Sequence, residues 1–289
     1  MKVAIIGGAG KMGKWMARFL LAEKIDVILI GSNKDRLSAA RQELHVEGTT
    51  DLGAVRQADL IIISVPIATF ESIVKELSRF VKKGQTVIDI TSVKVMPVEV
   101  MHRYLAGCLV LGAHPVFGPG AEGLTGHNIV LTPTSDSEKA LAQQAKSFLE
   151  KRGARVKLLT PAEHDRLMAV VLGLAHYIAV VAGDTLLGPD NLVDMELASG
   201  VTFRVLMTLV ASVLSEDPSL YASIQTNLPE LPTIEADFIN KASLWAELVK
   251  RKDNPEFIRR MSDLSKRLEQ ILPGENQAYR DMYRIARGR

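Results

Sequence analysis

At 289 residues the chain exceeds the ~100–200 residues of a typical single domain, so two domains are expected. A composition 47% hydrophobic and 24% charged supports a large core and excludes extended disorder. The formal charge of +2, from 35 basic and 33 acidic residues, gives no nucleic-acid footprint, and the 5% of aromatics are not interleaved with basic residues. The single cysteine, Cys108, cannot form an intramolecular disulfide and reads as a small apolar residue of a reducing compartment, which points to the cytoplasm.

The first apolar run, Lys2–Gly7, is a short buried strand, too short for the core of an export signal. Gly8-Ala9-Gly10-Lys11-Met12-Gly13 follows and leads into a helical pattern, Trp15–Leu21. Glycines with the spacing of Gly8, Gly10 and Gly13, set between a strand and a helix, form a dinucleotide-binding turn. The first allows the tight turn, the second close approach of a pyrophosphate, the third close packing of helix on strand. Amides of the helix start, at Lys11 and Met12, would face the phosphates.

The second strand, Asp26–Ile30, ends where an adenosine ribose would lie. An NAD site usually carries an acidic residue at that point, whereas this chain continues Gly31-Ser32-Asn33-Lys34-Asp35-Arg36. Ser32, Asn33, Lys34 and Arg36 are suited to a 2′-phosphate, which favours NADP. A register slip would put Asp35 on the ribose instead and keeps NAD open.

Strands and helices continue to alternate. Ala58–Val65 is an apolar strand, and Val65 and Pro66 at its end are assigned to the cofactor crevice. A helix over Thr69–Val81 precedes strand Thr86–Ile90, which ends at Thr91-Ser92-Val93-Lys94. Strands Leu109–Ala113, Ile129–Leu131 and Val156–Leu159 complete the series, with a helix over Glu138–Lys151 opened by a capping box of Ser135 and Glu138. The β-α-β alternation implies a doubly wound, mostly parallel Rossmann-type sheet. His114 is expected just past the end of its strand, because Pro115 opposes further pairing and Gly118-Pro119 turns the chain. Ligands of such sheets bind outside the carboxyl ends of the strands, so His114, Ser92 and Lys94 share one rim. A neutral imidazole there can accept a proton near neutral pH.

Thr160-Pro161-Ala162-Glu163 marks a helix start, and no convincing strand follows. The domains are therefore 1–160, dinucleotide-binding, and 161–289, all-helical. Helices are expected over Pro161–Leu187, Leu192–Leu214, Ile234–Arg251 and Glu256–Leu272, with a surface helix in the tail from Glu275. The uncharged run Leu167–Gly183 falls short of the ~20 apolar residues of a membrane span. The first two helices are apolar nearly all round, which calls for a homodimer built on them rather than a membrane or nucleic-acid partner.

Taken together, Thr91-Ser92-Val93-Lys94, His114-Pro115-Val116-Phe117-Gly118-Pro119 and His164-Asp165-Arg166…Gly173-Leu174-Ala175-His176 resemble the prephenate dehydrogenase family of tyrosine biosynthesis, in particular its short archaeal-type members. The resemblance spans essentially the whole chain. It implies oxidation and decarboxylation of prephenate to 4-hydroxyphenylpyruvate with NAD(P)+ as hydride acceptor. It assigns His114 as the base, Ser92 as the serine holding that imidazole or the substrate hydroxyl, and Lys94 as an electrostatic assistant. It also assigns His176 and Arg204 to the substrate. His164 is expected to be more exposed, a capping or surface residue, while His45, His102 and His127 have no supporting context.

One departure from the family pattern stands out. A second arginine, expected shortly before Asp217-Pro218, is replaced by Ala211-Ser212-Val213. Either a cation of the partner subunit replaces it or the substrate is arogenate, which carries an amino group in its side chain. Two other readings are a two-domain dehydrogenase or reductase using a catalytic lysine, and an NAD(P)-sensing regulator without catalysis.

Overall fold

The computed structural model describes residues 1–188, 192–272 and 277–287. The chain divides into two compact units, Met1–Met168 with Thr226–Leu228, and Ala169–Gln225 with Pro229–Arg289.

In the first unit eight strands form one sheet of order β3-β2-β1-β4-β5-β6-β7-β8. They are β1 (Lys2–Ile6), β2 (Asp26–Ile30), β3 (Glu47–Thr49), β4 (Leu60–Ile63), β5 (Thr86–Asp89), β6 (Leu109–Pro115), β7 (Asn128–Thr132) and β8 (Arg155–Leu158). Every neighbouring pair is parallel except β6–β7. Central strands such as β1 and β4 are buried on both faces, so Val3–Ile6 and Leu60–Ile63 read as continuous apolar runs. Six helices flank the sheet: α1 (Lys11–Ala22), α2 (Lys34–Leu44), α3 (Ile67–Leu77), α4 (Val95–Tyr104), α5 (Asp136–Glu150) and α6 (Pro161–Met168). Two apolar cores result, one around Ile5, Leu29 and Leu111, the other around Ile61, Phe70 and Leu77.

Of the capping boxes read from the sequence, that of Thr160 and Glu163 is complete: Thr160 Oγ1 accepts from Glu163 N while Glu163 Oε2 accepts from Thr160 N. At α5 only half of it forms, since Ser135 Oγ accepts from Glu138 N but Glu138 Oε2 accepts from Thr134 N rather than from Ser135.

Pro115 does not end β6, contrary to the expectation from sequence. The strand runs through it, with His114 opposite Val130 and Pro115 opposite Ile129 on β7. Val116 N donates to Asn128 O, which makes the 114–130 pair hydrogen-bonded and turns the nitrogen of Pro115 away from β7. On that other side β5 has already ended, its Asp89 lying opposite Gly112, so the missing N–H costs no ladder bond. His114 thus sits inside a strand that overhangs its parallel neighbour.

The second unit is helical among its described residues. A π-helical turn, Ala169–Leu174, leads into α7 (Ala175–Leu187). Then come α8 (Leu192–Leu197), α9 (Val201–Leu214), α10 (Pro218–Thr226), α11 (Leu231–Arg251), α12 (Asn254–Ile271) and α13 (Ala278–Arg287). The helix expected over Leu192–Leu214 is two helices, because Gly200 adopts an extended conformation at the start of α9. The expected breaker Pro189-Asp190 and the start of the tail at Glu275 lie outside the described residues.

The whole helical stretch Pro161–Leu187 is 27 residues, long and apolar enough by length and composition to cross a membrane. The uncharged segment alone falls short, but the helix extends beyond it at both ends. Many of its apolar side chains, including Val170, Val171, Val180 and Val181, are exposed on the single chain, as are Ile258, Met261 and Leu264 of α12.

Candidate active site

The turn between β1 and α1 is built as a nucleotide cradle, with one change in roles. The positive φ of the turn, 79°, belongs to Gly7 rather than to Gly8, while Gly8 lies against Leu29. A Cβ on Gly13 would stand 2.4 Å from Gly7 O, so only glycine lets α1 press onto the turn. Gly10 is the N-cap of α1 and makes no side-chain cap hydrogen bond, so no side chain of the cap residue stands where a phosphate would approach the helix start. These features fit the pyrophosphate of a dinucleotide. Lys11 and Met12 stand in that first turn, and Val65 and Pro66 follow β4, with Pro66 at the N-cap of α3.

Past β2, Gly31 follows Ile30 and its N–H donates to Thr49 O. Asn33 is the N-cap of α2, its Oδ1 accepting from Arg36 N at 2.9 Å, so that oxygen is already engaged. Ser32, Lys34, Asp35 and Arg36 are exposed around it.

Around His114 the structure brings together residues from three segments. Lys94 is not a solvated lysine. It is fully buried, and its Nζ donates at 2.6 Å to Asp89 Oδ1, Asp89 Oδ2 and Ala113 O. Burial pushes the Asp89 carboxyl up and the Lys94 ammonium down, and their mutual attraction opposes both shifts. Thr91 adds its N–H and hydroxyl to Asp89 Oδ1 at 2.8 and 2.6 Å. Gly112 makes room for this arrangement, because a Cβ there would lie 3.1 Å from Lys94 Cδ and 2.3 Å from Thr132 Oγ1.

His164 overturns its expected place at the surface. It is fully buried, and its Nε2 lies 2.8 Å from His114 Nδ1. Its own Nδ1 is 2.7 Å from Asp165 Oδ1. Asp165 in turn accepts from Lys94 N at 2.7 Å and from Val95 N at 2.9 Å, capping α4 from a distant helix. A signal for this was present. His164 and Met168, and Asp165 and Ala169, recur at helical spacing and are all buried, so the start of α6 already has an inward face.

His114 is 4% exposed, and burial, aided by His164 and Lys94, holds its imidazole well below the usual histidine range. The ring is therefore neutral near pH 7. Its Nε2 has no hydrogen bond among the described residues, and it is not one of the sealed unpaired nitrogens of the chain. Ser92, expected beside the imidazole, is half-buried and its hydroxyl has no hydrogen-bond partner among the described residues; His164, not Ser92, holds the ring.

In the helical unit, His176 follows directly on the π-helical turn, a feature enriched at functional sites. It packs edge-on against Tyr221 with ring centroids 4.7 Å apart. Its Nδ1 is buried without a partner, so it is not a core histidine bonded to a carbonyl, and burial lowers its pKa. Arg204 on α9 is exposed and forms no ion pair among the described residues; Glu196 only lines a small cavity beside it.

The prephenate dehydrogenase nucleotide-binding domain matches residues 16–158, and the prephenate dehydrogenase dimerization domain matches residues 160–263. The break between the two matches falls at residue 159, whereas the first compact unit runs on through α6 to Met168. A probable arogenate/prephenate dehydrogenase of Methanocaldococcus jannaschii is 32% identical over 271 residues, covering 92% of this chain and 60% of that protein. A T-protein of Haemophilus influenzae is 27% identical over 82% of this chain and 60% of its own length, so the chain spans about three-fifths of these two relatives. Among solved structures, prephenate dehydrogenase from A. aeolicus, in complex with hydroxyphenyl propionate and NAD+, is 26% identical with a TM-score of 0.77, over 94% of this chain and 98% of that one. With both halves matched by the same family, in order and nearly end to end, the chain belongs to the prephenate dehydrogenase family.

Proposed function

We propose that the protein catalyses NAD(P)+-dependent oxidative decarboxylation of prephenate to 4-hydroxyphenylpyruvate. The observation that carries this reading is His114: neutral, bound through Nδ1, with Nε2 available at the carboxyl edge of the sheet. The cradle of Gly8, Gly10 and Gly13, with Lys11, Met12, Val65 and Pro66, would hold the dinucleotide. When bound, the nicotinamide supplies the hydride acceptor.

His114 Nε2 takes the proton of the ring hydroxyl as the C–H bond at the same carbon breaks. The resulting ketone is conjugated with the carbon bearing the ring carboxylate, so carbon dioxide leaves with its bonding pair retained by the ring. Aromaticity forms, and His114 returns its proton to the phenolate oxygen. Lys94 favours the neutral imidazole at the start of this sequence by its charge, and Ser92 is available to hold the substrate hydroxyl. His176 Nδ1 and the Arg204 guanidinium are suited to the substrate's carboxylates.

Two finer assignments go with this reading. NADP is favoured over NAD by the missing acid after β2 and by the exposed Ser32, Lys34 and Arg36. A homodimer through the helical unit would cover the apolar faces that the single chain leaves exposed. A second substrate, arogenate, is favoured by one observation: Arg204 is the sole cation on α9, and the stretch Ala211-Ser212-Val213 carries none.

Steady-state reduction of NAD+ and NADP+ with each of prephenate and arogenate tests these assignments together. Reduction with prephenate, lost on His114→Gln, is the expected result. No reduction with either substrate, or a His114→Gln variant within tenfold of the parent, would sink the reading. Sedimentation of the full chain as a monomer would remove the dimer.

A further inference from the structure

Three nitrogens converge on Asp165: two are donating backbone amides at the start of α4, and the third is His164 Nδ1 at 2.7 Å. A carboxylate engaged in this way acts as an acceptor only, so His164 Nδ1 must bring a proton to it. A neutral imidazole carries one N–H, which leaves His164 Nε2 with a lone pair. His114 Nδ1, 2.8 Å away, must therefore donate to it. That in turn leaves a lone pair on His114 Nε2, which has no hydrogen-bond partner among the described residues.

We propose that His164 and Asp165 are positioning residues that fix the tautomer of His114 and make its Nε2 the proton acceptor. The inference rests on His114 being the base of the proposed reaction, and it adds the device that determines which nitrogen acts. The competing arrangement needs a charged His164 donating from Nε2, which would reverse the tautomer of His114. Burial and the nearby Lys94 ammonium both oppose that cation, while Asp165 and Asp89 favour it; burial is the larger effect. From the other elements packed around His114 the charged groups are Lys94 and Asp89, and Val130 on β7 is apolar.

The substitution His164→Leu separates this role from simple capping of α4, because Asp165 keeps its bonds to the Lys94 and Val95 N–H groups. It removes the acceptor that holds the proton of His114 on Nδ1, so that proton moves to Nε2 and the base is lost. In His164→Gln the same carboxylate orients the amide, with NH2 toward Asp165 and Oε1 toward His114 Nδ1, so the tautomer is kept.

The test is the 15N spectrum of imidazole-labelled full-length protein, read beside kcat/KM for prephenate. The parent and His164→Gln are expected to show His114 protonated at Nδ1, with His164→Gln within about tenfold of the parent in activity. His164→Leu is expected to show protonation of His114 at Nε2 and a loss of about 10²–10⁴-fold, the range a wrong-tautomer substitution can reach in a triad. A parent protein with His114 protonated at Nε2 would overturn the proposal. So would a His164→Leu protein in which His114 keeps the parent tautomer. If His164→Leu does not fold, the parent and His164→Gln spectra decide by the same criterion. If the tautomers behave as expected but no variant or parent oxidises prephenate or arogenate, the proposed reaction fails and the assignment of the two residues stands.

Discussion

Lys94 Nζ lies 2.6 Å from each carboxylate oxygen of Asp89, and neither side chain has any exposure to solvent. Such a pair contributes little net stability against an apolar substitute, but either partner left alone is an uncompensated buried charge. Lys94→Met is therefore expected to lower unfolding stability by about 3–5 kcal/mol. The double variant with Asp89→Leu should recover part of that loss. Urea unfolding of the three proteins checks it, and a Lys94→Met protein as stable as the parent would contradict the geometry.

The pH dependence follows from the direction of the shift at His114. Its folded-state pKa lies well below the ordinary value of 6.5, so the neutral base persists as pH falls through 6.5. The acid limb of kcat/KM should therefore begin below the usual histidine range. Stability obeys the same sign. The unfolded chain binds more protons than the folded one between the folded pKa and 6.5, so stability is fully present above 6.5 and is lost as pH falls below it. His164 and His176, both lowered by burial, add in the same direction. A pH series of unfolding curves that shows no loss below 6.5 would refute this.

Gly13 offers a test of the cradle. With a Cβ 2.4 Å from Gly7 O, Gly13→Ala must push α1 off the turn that would receive the pyrophosphate. Fluorescence titration with NADPH should show at least roughly tenfold weaker binding, about 1.4 kcal/mol. Gly118→Ala is the control, because a Cβ there meets nothing within 4 Å.

His176 should separate binding from folding. Its Nδ1 is already buried without a partner, so His176→Phe removes an unsatisfied group and should leave stability equal or higher. Loss of a hydrogen bond to a charged substrate group, worth about 1.5–3 kcal/mol, should raise KM by roughly 10–100-fold. A large fall in Tm with unchanged KM would mean that the imidazole is structural.

Much of the nucleotide-binding half was legible in the chain. β2 falls over Asp26–Ile30 as expected, because a strand buried on both faces has to be a continuous apolar run. β3 is three residues at the sheet edge and half polar, so it leaves no periodic signal. α4 was hidden by Pro97 and by a cap that comes from Asp165, 70 residues away in the sequence. His114 was legible as a candidate base from its setting, whereas its neighbour His164 was not. A histidine one turn into a helix opened by Thr160 and Glu163 looks like surface, and only the helical repeat of buried positions says otherwise. Pro115 misled for a definable reason: an effect on pairing depends on which side the nitrogen faces, and that depends on where the neighbouring strand stops.

That early stop of β5 has a further outcome. Ala113 turns its carbonyl toward the side β5 no longer occupies, and Lys94 Nζ reaches across to satisfy it. An ammonium thus performs the job of an absent backbone, closing the ladder at a single point. A full strand there would have walled off the flank of the histidine; one flexible side chain, anchored from behind by a carboxylate, finishes the sheet while keeping that approach clear.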